Sequence, residues 1–310
     1  MRILVLGSTG YLGSHVVEYL RALEGVRVLD GGRSPAATFG IDLATDRTDR
    51  LAKTLESAAP DAVVNCAGAT GGDAVTLAEV NSRGPALLCS ALREAAPAAR
   101  LVHLGSAAEY GPGTPDVPVT ESAPTRPLTP YGATKLAGTV TVTSSGLDAV
   151  VLRVGNPVGP GASSTGLPGR VAGLLREAGR APDAVIRLGD LSAYRDFVDV
   201  RDVARAAALA VMAPGPLPGV LNIGGGQAVP VRVLVRSLAR AAGFRGRIEE
   251  GDGGSARSGE VSWQCSDIAA AGDALGWRPS HTLDDSLTAL WEATAPPGPS
   301  SRQLEGDRSR

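Results

Sequence analysis

Short, almost uninterrupted apolar runs recur through the first half of the chain, and segments with helical periodicity separate them. The runs are RILVL (2–6), VRVLD (26–30), AVVNCA (62–67), LVHLGS (101–106) and AVVLRVG (149–155). Strands that are covered on both faces lose the alternation of apolar and polar residues, so continuous runs are typical of a buried parallel sheet. Apolar residues at helical spacing occur between the runs, in residues 11–23, 50–58 and 81–96. This alternation predicts an α/β fold built on a doubly wound parallel sheet.

The composition limits the classes of function. The 310 residues include 30 basic and 32 acidic side chains, and a net charge of -2 gives no support to a nucleic-acid-binding surface. Cys66, Cys89 and Cys265 are odd in number and form no metal-ligand pattern, so we expect reduced thiols and no metal. No apolar stretch approaches the roughly 18 residues of a membrane span, and the first apolar run breaks too early for a signal peptide. These features favour a cytoplasmic protein without membrane or nucleic-acid partners.

Three glycines directly follow the first predicted strand. Residues 7–13 read GSTGYLG and open a predicted helix. Glycines permit a tight turn and let backbone N–H groups approach a pyrophosphate, while the helix N-terminus adds its positive dipole. The pattern is therefore typical of the dinucleotide-binding turn of a Rossmann-type sheet. The turn residues that we expect to contact the cofactor are Gly7, Thr9, Gly10, Tyr11, Leu12 and Gly13.

Other residues bear on the identity of the dinucleotide. Asp30 comes 17 residues after Gly13, where a carboxylate accepts hydrogen bonds from the adenosine ribose and repels a 2′-phosphate. Arg33 either pairs with such a phosphate or is an ordinary solvated arginine. The sequence predicts NAD or NADP, and NAD is favoured. Further expected cofactor contacts at strand ends are Asp42 (alternatively an ordinary turn aspartate), Leu43, Cys66, Ala67 and Gly68.

The chain has only two lysines, and Lys135 stands four places after Tyr131 in YGATKLAG. Residues four apart share one face of a helix, and an ammonium beside a phenol lowers the pKa of the phenol. A shift from about 10 to near 7 requires roughly 4 kcal/mol, which one lysine and a positively charged nicotinamide can supply in a closed site. An incidental surface pair is the alternative.

A serine at the end of the fifth predicted strand completes the candidate catalytic group. Ser106 follows LVHLG, and the carboxyl ends of parallel strands form the edge at which open α/β sheets bind ligands. A hydroxyl there can donate a hydrogen bond to a substrate oxygen and orient the proton of Tyr131.

Eight motifs together resemble one family. They are GSTGYLG, NCAG, GSAAEYG, PYGATK, LRVGNPVGPG, YRDFVDVRDVA, NIGGG and LGWRP, and they extend over roughly residues 1–292. As a set they resemble the extended short-chain dehydrogenases/reductases of the NAD-dependent epimerase/dehydratase family, which act mostly on nucleotide-activated sugars. The resemblance implies that Ser106, Tyr131 and Lys135 form a catalytic triad, that Tyr131 and Lys135 also contact the cofactor, and that Asn81 supports the cofactor site.

The resemblance also implies substrate and subunit contacts. Ser106 and Ala107 would line the sugar site, and Asn156 and Arg195 would contact the diphosphate of a nucleotide sugar. A guanidinium fork suits two phosphate oxygens, whereas the alternative for Arg195 is an exposed arginine paired with Asp196. Arg257 is a further candidate phosphate ligand. Related proteins usually dimerise, here through the predicted helices 81–96 and 131–145, so we expect a homodimer.

The residues after Ser106 narrow the reaction within the resembling family. Dehydratases carry an acidic pair there, whereas this chain has Ala107 and Ala108, and Glu109 comes one position too late and is expected to pack or face away. Glu109 at this position resembles the reductases of 4-keto-6-deoxy sugars. The preferred hypothesis is a 4-ketoreductase in which Tyr131 is the general acid. The alternative is an NAD-dependent nucleotide-sugar 4-epimerase, and a non-catalytic dinucleotide-binding sensor is a third candidate.

The character of the sequence changes after residue 155, where a loop-like stretch rich in Gly, Pro and Ser begins. We therefore predict two parts and a tail. They are a dinucleotide-binding domain over residues 1–155 with 196–224 returning to it, a smaller C-terminal α/β substrate-binding lobe over 156–195 and 225–292, and a disordered tail over 293–310.

Overall fold

The predicted alternation of strands and helices is present in the computed structural model, which describes residues 1–251 and 261–295. In these residues the strands are β1 (Arg2–Leu6), β2 (Arg27–Gly32), β3 (Phe39–Gly40), β4 (Ala62–Asn65), β5 (Arg100–Ser106), β6 (Ala149–Val154), β7 (Asn156–Val158), β8 (Val185–Leu188), β9 (Tyr194–Asp199), β10 (Val220–Ile223), β11 (Ala228–Pro230) and β12 (Arg247–Glu250). The α-helices are α1 (Tyr11–Arg21), α2 (Thr48–Ala58), α3 (Ala74–Ala78), α4 (Gly84–Ala95), α5 (Pro130–Thr143), α6 (Leu167–Ala178), α7 (Val200–Met212), α8 (Val231–Ala241), α9 (Ala269–Leu275) and α10 (Leu283–Ala293).

A parallel sheet forms the centre of the fold. In the described residues it has seven strands in the order β10-β6-β5-β4-β1-β2-β3, and each neighbouring pair is parallel. The order runs outward from β1 in both directions, as in a Rossmann-type sheet. The predicted fold class is therefore confirmed. The reversal of direction between β1 and β4 marks the crevice where such sheets bind ligands.

Apolar side chains are buried on both faces of this sheet. Leu4 and Val5 are neighbours in β1 but belong to two different cores, one covered by α2, α4 and α5 and the other by α1 and α7. A strand with two buried faces can be apolar along its whole length, which is the physical reason for the continuous runs in the sequence.

The C-terminal part adds smaller sheets. Within the described ranges, β7, β9 and β11 form a three-stranded sheet, and β8 pairs with β12. Helices α6, α8 and α10 pack around a third core that includes Leu175, Leu234 and Leu287. Helix α7 packs on α1, and β10 joins the large sheet. Residues 200–223 thus lie with the N-terminal part, whereas β9 lies in the smaller sheet.

Two helices differ from their predicted extent. The predicted helix 81–96 is α-helical only from Gly84, because residues Glu79–Arg83 form a π-helical turn between α3 and α4. Helix α5 continues to Thr143 although its last turn is rich in β-branched residues. The hydroxyls of Thr141, Thr143 and Ser144 donate to carbonyl oxygens one turn earlier. These bonds satisfy side chains that otherwise compete with the helical backbone.

Some predicted features fall outside the described ranges. They are Arg257 and residues 296–310 of the predicted tail. The first residue of that predicted tail, Ala293, is the last residue of α10. Among the helices of residues 1–251 and 261–295, none is long and apolar enough to cross a bilayer.

Candidate active site

The turns that follow β1 and β4 meet at the carboxyl edge of the sheet. Gly7 has a positive φ of 73°, and a Cβ on it would lie 2.8 Å from the amide nitrogen of Ala67. A Cβ on Gly13 would overlap the carbonyl oxygen of Gly7. Side chains at these positions would force the two turns apart, so this close approach of backbone requires the glycines.

The first turn of α1 presents its backbone to this crevice. Gly10 is the N-cap and has no side chain to occupy the first N–H groups. These groups, together with the helix dipole, fit an anion such as a pyrophosphate. Thr9 is exposed beside them, and Leu12 packs against the core behind the turn. The hydroxyl of Tyr11 donates to the carbonyl of Gly159 at 3.4 Å, and burial raises the pKa of this phenol.

A cavity of about 320 Å³ opens beside the turn and is lined in part by Thr9, Arg21 and Asp30. The carboxylate of Asp30 accepts a hydrogen bond from Arg21 at 2.9 Å. Asp30 thus lies at the cavity beside the glycine turn, and Arg21 of α1 balances its negative charge. Its contact with the adenosine ribose stays a prediction. Arg33 is exposed on the loop after β2. The sequence did not indicate Arg21, because the pairing depends on how α1 packs beside β2.

The loop after β3 holds its carboxylate within its own turn. Oδ1 of Asp42 accepts from the amide of Ala44 at 3.0 Å. Leu43 is buried in the core, and its carbonyl accepts from Arg83 at 3.0 Å. Asp42 therefore stabilises its own turn, as one of the two predicted alternatives states. A contact between Asp42 and adenine stays a prediction.

Asn81 links the loop after β4 to helix α5. Its Oδ1 accepts from the amide of Ala69 at 2.9 Å, and its Nδ2 donates to the carbonyl of Ala69 at 2.8 Å and to Thr134 on α5 at 3.3 Å. A Cβ on Gly68 would lie 3.5 Å from Oδ1 of Asn81 and 4.0 Å from Nζ of Lys135. Asn81 lies in the π-helical turn, a feature that is frequent at functional sites.

The start of helix α5 packs on the turn that follows β5. Oγ1 of Thr129 accepts from the amide of Gly132 at 3.2 Å, and Pro130 occupies the first turn, where its missing N–H is tolerated. A Cβ on Gly132 would lie 2.5 Å from the carbonyl oxygen of Ala108. The helix is thus seated directly on the backbone beyond Ser106, and Tyr131 stands at this contact.

The side chain of Lys135 is buried against β5. It is 5 % exposed, and its Nζ donates to the carbonyl of Leu104 at 2.5 Å. Burial lowers the pKa of Lys135 from 10.5 to about 8, while the Glu109 carboxylate acts in the opposite direction. The lysine is therefore charged at neutral pH, one helical turn from Tyr131.

Ser106 ends β5 and begins a 3-10 turn over Ala107–Glu109. Its Oγ accepts from the amide of Ala108 at 3.2 Å, and its own amide donates to the carboxylate of Glu109 at 2.8 Å. This reciprocal capping fixes the serine. A hydroxyl oxygen that accepts one N–H group still carries its own proton, which it can donate to a substrate oxygen.

Glu109 is fully buried and ion-paired. Its Oε2 accepts from Nε of Arg153 at 2.7 Å, and the guanidinium of Arg153 lies over the ring of Tyr110, 4.6 Å from its centre. Glu109 therefore packs, which is one of the two orientations expected for it. A carboxylate held in this way does not reach a leaving hydroxyl as a free acid.

The two predicted diphosphate contacts lie on neighbouring strands of the smaller sheet. β7 pairs with β9, and Nδ2 of Asn156 donates to the carbonyl of Asp196 at 3.2 Å. Arg195 is only 7 % exposed, and its terminal nitrogens donate to the carbonyls of Tyr194 and Val261, each at 2.8 Å. Burial lowers the pKa of Arg195.

The alternative role for Arg195, an exposed arginine paired with Asp196, is wrong. The carboxylate of Asp196 is buried and accepts from the amides of Gly225, Gly226 and Ser266. Three backbone donors satisfy this carboxylate, and the side chain of Arg195 is directed to carbonyl oxygens instead.

A segment that sequence analysis missed joins Arg195 to the turn after β5. Nε2 of Gln264 donates to the carbonyl of Ala107 at 2.7 Å. Val261, which accepts from Arg195, comes three residues earlier, and three residues span at most roughly 10 Å. Arg195 and Ala107 are therefore bound to the same short segment. No motif in the sequence indicated Gln264.

Comparison with known proteins identifies the family. The sequence profile of the NAD dependent epimerase/dehydratase family matches residues 3–224. The chain belongs to this family. The resemblance inferred from the eight motifs is thereby confirmed, and the catalytic roles of Ser106, Tyr131 and Lys135 stay predictions.

Relatives within the family align over nearly the whole chain. The dTDP-6-deoxy-L-talose 4-dehydrogenase (NAD(P)(+)) of Kitasatospora kifunensis is 36 % identical over 309 residues, covering 95 % of this chain and 96 % of the relative. A UDP-glucose 4-epimerase of Azospirillum brasilense is 30 % identical and covers 97 % of each chain. The structure of RMD from Pseudomonas aeruginosa, complexed with NADPH, has a TM-score of 0.81 at 26 % identity and covers 94 % of this chain and 98 % of that one.

Proposed function

We propose that the protein is an NAD(P)-dependent oxidoreductase that reduces the 4-keto group of a nucleotide-activated 6-deoxyhexose. The turn after β5 is the observation that carries this proposal. In this turn the hydroxyl of Ser106 lies close to the start of α5, where Tyr131 is located. The carboxylate of Glu109 in the same turn is bound by Arg153. Such a turn suits proton exchange with a sugar oxygen, whereas elimination of water needs a free acid for the leaving hydroxyl.

The three candidate catalytic groups then have distinct roles. When bound, the nicotinamide supplies the hydride. Tyr131 gives its proton to the 4-oxygen as general acid, and Ser106 donates a second hydrogen bond to the same oxygen. The ammonium of Lys135 stabilises the phenolate that proton transfer leaves behind. Because Tyr131 and Ser106 act on the same substrate oxygen and Lys135 acts through Tyr131, the same groups serve the reverse oxidation of a 4-hydroxyl.

The buried guanidinium of Arg195 supports a phosphorylated substrate. Burial makes its charge unfavourable, and a diphosphate would compensate that charge with geometry that suits a guanidinium fork. We assign this role to Arg195, with Asn156 beside it. On this basis residues 156–195 and 225–292 bind the substrate, and residues 1–155 with 196–224 bind the dinucleotide.

The relatives favour oxidoreduction at position 4 of a 6-deoxy sugar. The Kitasatospora relative is named as a 4-dehydrogenase of dTDP-6-deoxy-L-talose that uses NAD(P)+, and oxidation at position 4 is the reverse of the proposed reduction. RMD was solved with NADPH. A cofactor that exchanges with solvent, NADH or NADPH, fits both observations.

An NAD-dependent nucleotide-sugar 4-epimerase is the alternative, and the Azospirillum relative favours it. An epimerase removes and returns hydride at the same carbon, so it needs the same serine, tyrosine and lysine. The two functions differ in whether the cofactor leaves after each turnover.

A panel of sugar nucleotides separates these functions. Purified protein is mixed with dTDP- and GDP-linked 4-keto-6-deoxyhexoses, or with UDP-linked 4-hydroxy sugars, and the absorbance of NADH or NADPH is followed. We expect oxidation of added cofactor only with a 4-keto-6-deoxy substrate. Interconversion of two 4-hydroxy sugars by protein that retains NAD after gel filtration would establish the epimerase. Cofactor binding without turnover of any sugar would contradict both and indicate a sensor.

We also propose that the protein is a homodimer formed through α4 and α5. The outer surface of α5 is small and apolar, with Ala133 and Ala137 exposed and Val140 56 % exposed. Light scattering should give the mass of two chains for the wild type and of one chain for Val140→Asp, which places a charge in the contact. A wild-type mass of one chain would contradict the dimer.

We place the protein in the cytoplasm. Cys66, Cys89 and Cys265 are free thiols, and free thiols are typical of reducing compartments. Fractionation of the source cells, with the protein detected by antibody, tests this location.

A further inference from the structure

The buried carboxylate of Glu109 lies on the face of β5 that α5 covers. Its two oxygens accept from the amide of Ser106 at 2.8 Å and from Arg153 at 2.7 Å. A Cβ on Gly105 would lie 2.8 Å from Oε1 of Glu109, and 2.7 Å from a methyl group of Val151. Val151 belongs to the core that α2, α4 and α5 cover. The direction of Gly105 therefore places the carboxylate on the α5 side of the sheet.

Lys135 reaches the same stretch of β5 from α5. Its Nζ donates to the carbonyl of Leu104, the residue before Gly105, and both the lysine and Glu109 are buried. Opposite charges interact strongly where solvent is excluded. The carboxylate and the ammonium thus act on each other across residues 104–105.

The other ionisable groups near Lys135 bring no negative charge at neutral pH. Burial raises the pKa of the Cys66 thiol to about 12. Burial, and then the charge of Lys135, lower the pKa of His103 well below its usual value, so the imidazole is neutral. In the described residues, Glu109 is the carboxylate that acts on the lysine. The guanidinium of Arg153, which is paired with Glu109, belongs to a side chain on the same face of the sheet.

We propose that Glu109 is a positioning residue for the catalytic site, because its carboxylate keeps Lys135 charged while it holds the backbone of Ser106. One side chain thereby acts both on the serine that would contact the substrate oxygen and on the lysine that would act through Tyr131. The inference rests on the proposed roles of Ser106 and Lys135 in catalysis. The competing hypothesis is a purely structural role, in which Glu109 only neutralises the charge of Arg153. The experiments must distinguish this role from the positioning role.

The chain offers a direct readout, since Lys53 and Lys135 are its only lysines. Protein labelled with ¹³C at lysine Cε gives two side-chain signals, which Lys53→Arg assigns, and their pH titration reports each ammonium without any substrate. The test variant is Glu109→Gln, because a glutamine oxygen can still accept from the amide of Ser106 while the charge is lost. We expect the pKa of Lys135 to fall by about 1 or more in this variant, with Lys53 unchanged. An unchanged titration of Lys135 would overturn the proposal.

The double variant Glu109→Gln/Arg153→Met separates the structural role. Loss of Glu109 alone leaves a buried guanidinium without its partner, which destabilises the fold. We expect the double variant to recover thermal stability while the titration of Lys135 stays low. If the double variant recovers both its thermal stability and the wild-type pKa of Lys135, the carboxylate of Glu109 serves only to neutralise Arg153 and the proposal fails.

An activity measurement extends the test. In the reductase assay, Glu109→Gln should lose turnover on the alkaline side at a lower pH than the wild type does. If the pKa of Lys135 falls in Glu109→Gln but the alkaline side of the pH–activity profile does not move, the catalytic part of the proposal is contradicted. The NMR titration of Lys135 needs no sugar substrate. It therefore tests the effect of Glu109 on Lys135 even if the protein is not a reductase.

Discussion

At the scale of single residues, the Arg21–Asp30 pair sets the charge of the cavity proposed to hold the adenosine ribose. The two side chains are 2.9 Å apart and 58 % and 28 % exposed, so solvent screens the pair and its strength is modest. Without Arg21, a 2′-phosphate would meet a bare carboxylate. We therefore expect Arg21→Ala to lower kcat/KM for NADPH relative to NADH by about two- to fivefold.

Steady-state kinetics with both cofactors measure this ratio. Arg27→Ala is the matched control, since Arg27 is an exposed arginine at the other end of β2, and it should leave the ratio unchanged. If Arg21→Ala also leaves the ratio unchanged, the pair has no influence on cofactor choice.

Lys135 lowers the stability of the fold that it serves. Its pKa is about 8 in the folded protein against 10.5 for a free lysine, so the unfolded chain binds more protons between these values. The destabilisation is full below pH 8 and fades as the pH rises to 10.5. We expect Lys135→Met to raise the free energy of unfolding by about 2 kcal/mol at pH 7, and by less near pH 9.5, although turnover is lost.

Urea unfolding at the two pH values measures this effect. The control is Lys53→Met, because Lys53 is exposed and its replacement should change the unfolding energy by less than about 0.5 kcal/mol. A Lys135→Met variant that is less stable than the wild type at pH 7 would contradict a costly buried ammonium.

At the scale of elements, the contact between α5 and the turn after β5 positions the candidate catalytic groups. Replacement of glycine by alanine inside a helix usually stabilises by up to about 1 kcal/mol. At Gly132 the new Cβ would meet the carbonyl oxygen of Ala108 at 2.5 Å, so the helix must shift. We expect Gly132→Ala to destabilise by about 1–3 kcal/mol and to lower kcat by tenfold or more, since small displacements strongly affect reactivity.

Gly173→Ala in α6 is the matched control for this change. A Cβ on Gly173 meets nothing within 4 Å, and this variant should be as stable as the wild type or more so. Unfolding and kinetics on both variants settle the comparison. If Gly132→Ala behaves like Gly173→Ala, α5 does not depend on this contact.

The elements and the three catalytic candidates could be predicted because their signals are local. Apolar runs identify buried strands, and Tyr131 and Lys135 lie one helical turn apart in the sequence itself. The partners of these residues are not local. Glu109 and Arg153 are 44 residues apart and meet because β5 and β6 are neighbours, with Gly105 opposite Arg153.

Other features of the site were invisible for related reasons. Gln264 reaches Ala107 across 157 residues, which requires the fold of the C-terminal lobe to be known. The π-helical turn around Asn81 is a change in hydrogen-bond register, and such a change leaves no mark in the apolar periodicity. Asp30 was predicted, but its partner Arg21 depends on the packing of α1 beside β2.

At the scale of the whole molecule, Asp202 anchors the C-terminal segment to the large sheet. Asp202 is a fully buried residue of α7, and its carboxylate accepts from the amides of Ser280 and His281, each at 3.0 Å. Its backbone carbonyl accepts from the indole of Trp277 at 2.9 Å. Burial acts to raise the pKa of Asp202, but the bonds from Ser280 and His281 hold it below its usual value. This contribution to stability is present at neutral pH and is lost as the pH falls through the lowered pKa.

We expect Asp202→Asn to lower the free energy of unfolding by about 3 kcal/mol, since an amide group would face donors that a carboxylate now satisfies. The difference from the wild type should shrink in acid, where the wild-type carboxylate is protonated. Urea unfolding at pH 7 and at a series of pH values below 3.8 measures both effects. Asp284→Asn, at an exposed residue of α10, should change the unfolding energy by less than about 0.5 kcal/mol. An equal loss in both variants would remove Asp202 as the anchor.

The role of Tyr131 as proton donor is tested most directly by Tyr131→Phe, assayed with NADH or NADPH and the most active 4-keto-6-deoxyhexose nucleotide. The variant keeps the aromatic ring in the first turn of α5 and loses only the hydroxyl. We expect turnover to fall by about a hundredfold or more, with the affinity for the reduced cofactor within about threefold of the wild type. Turnover near the wild-type value would contradict the proposed chemistry.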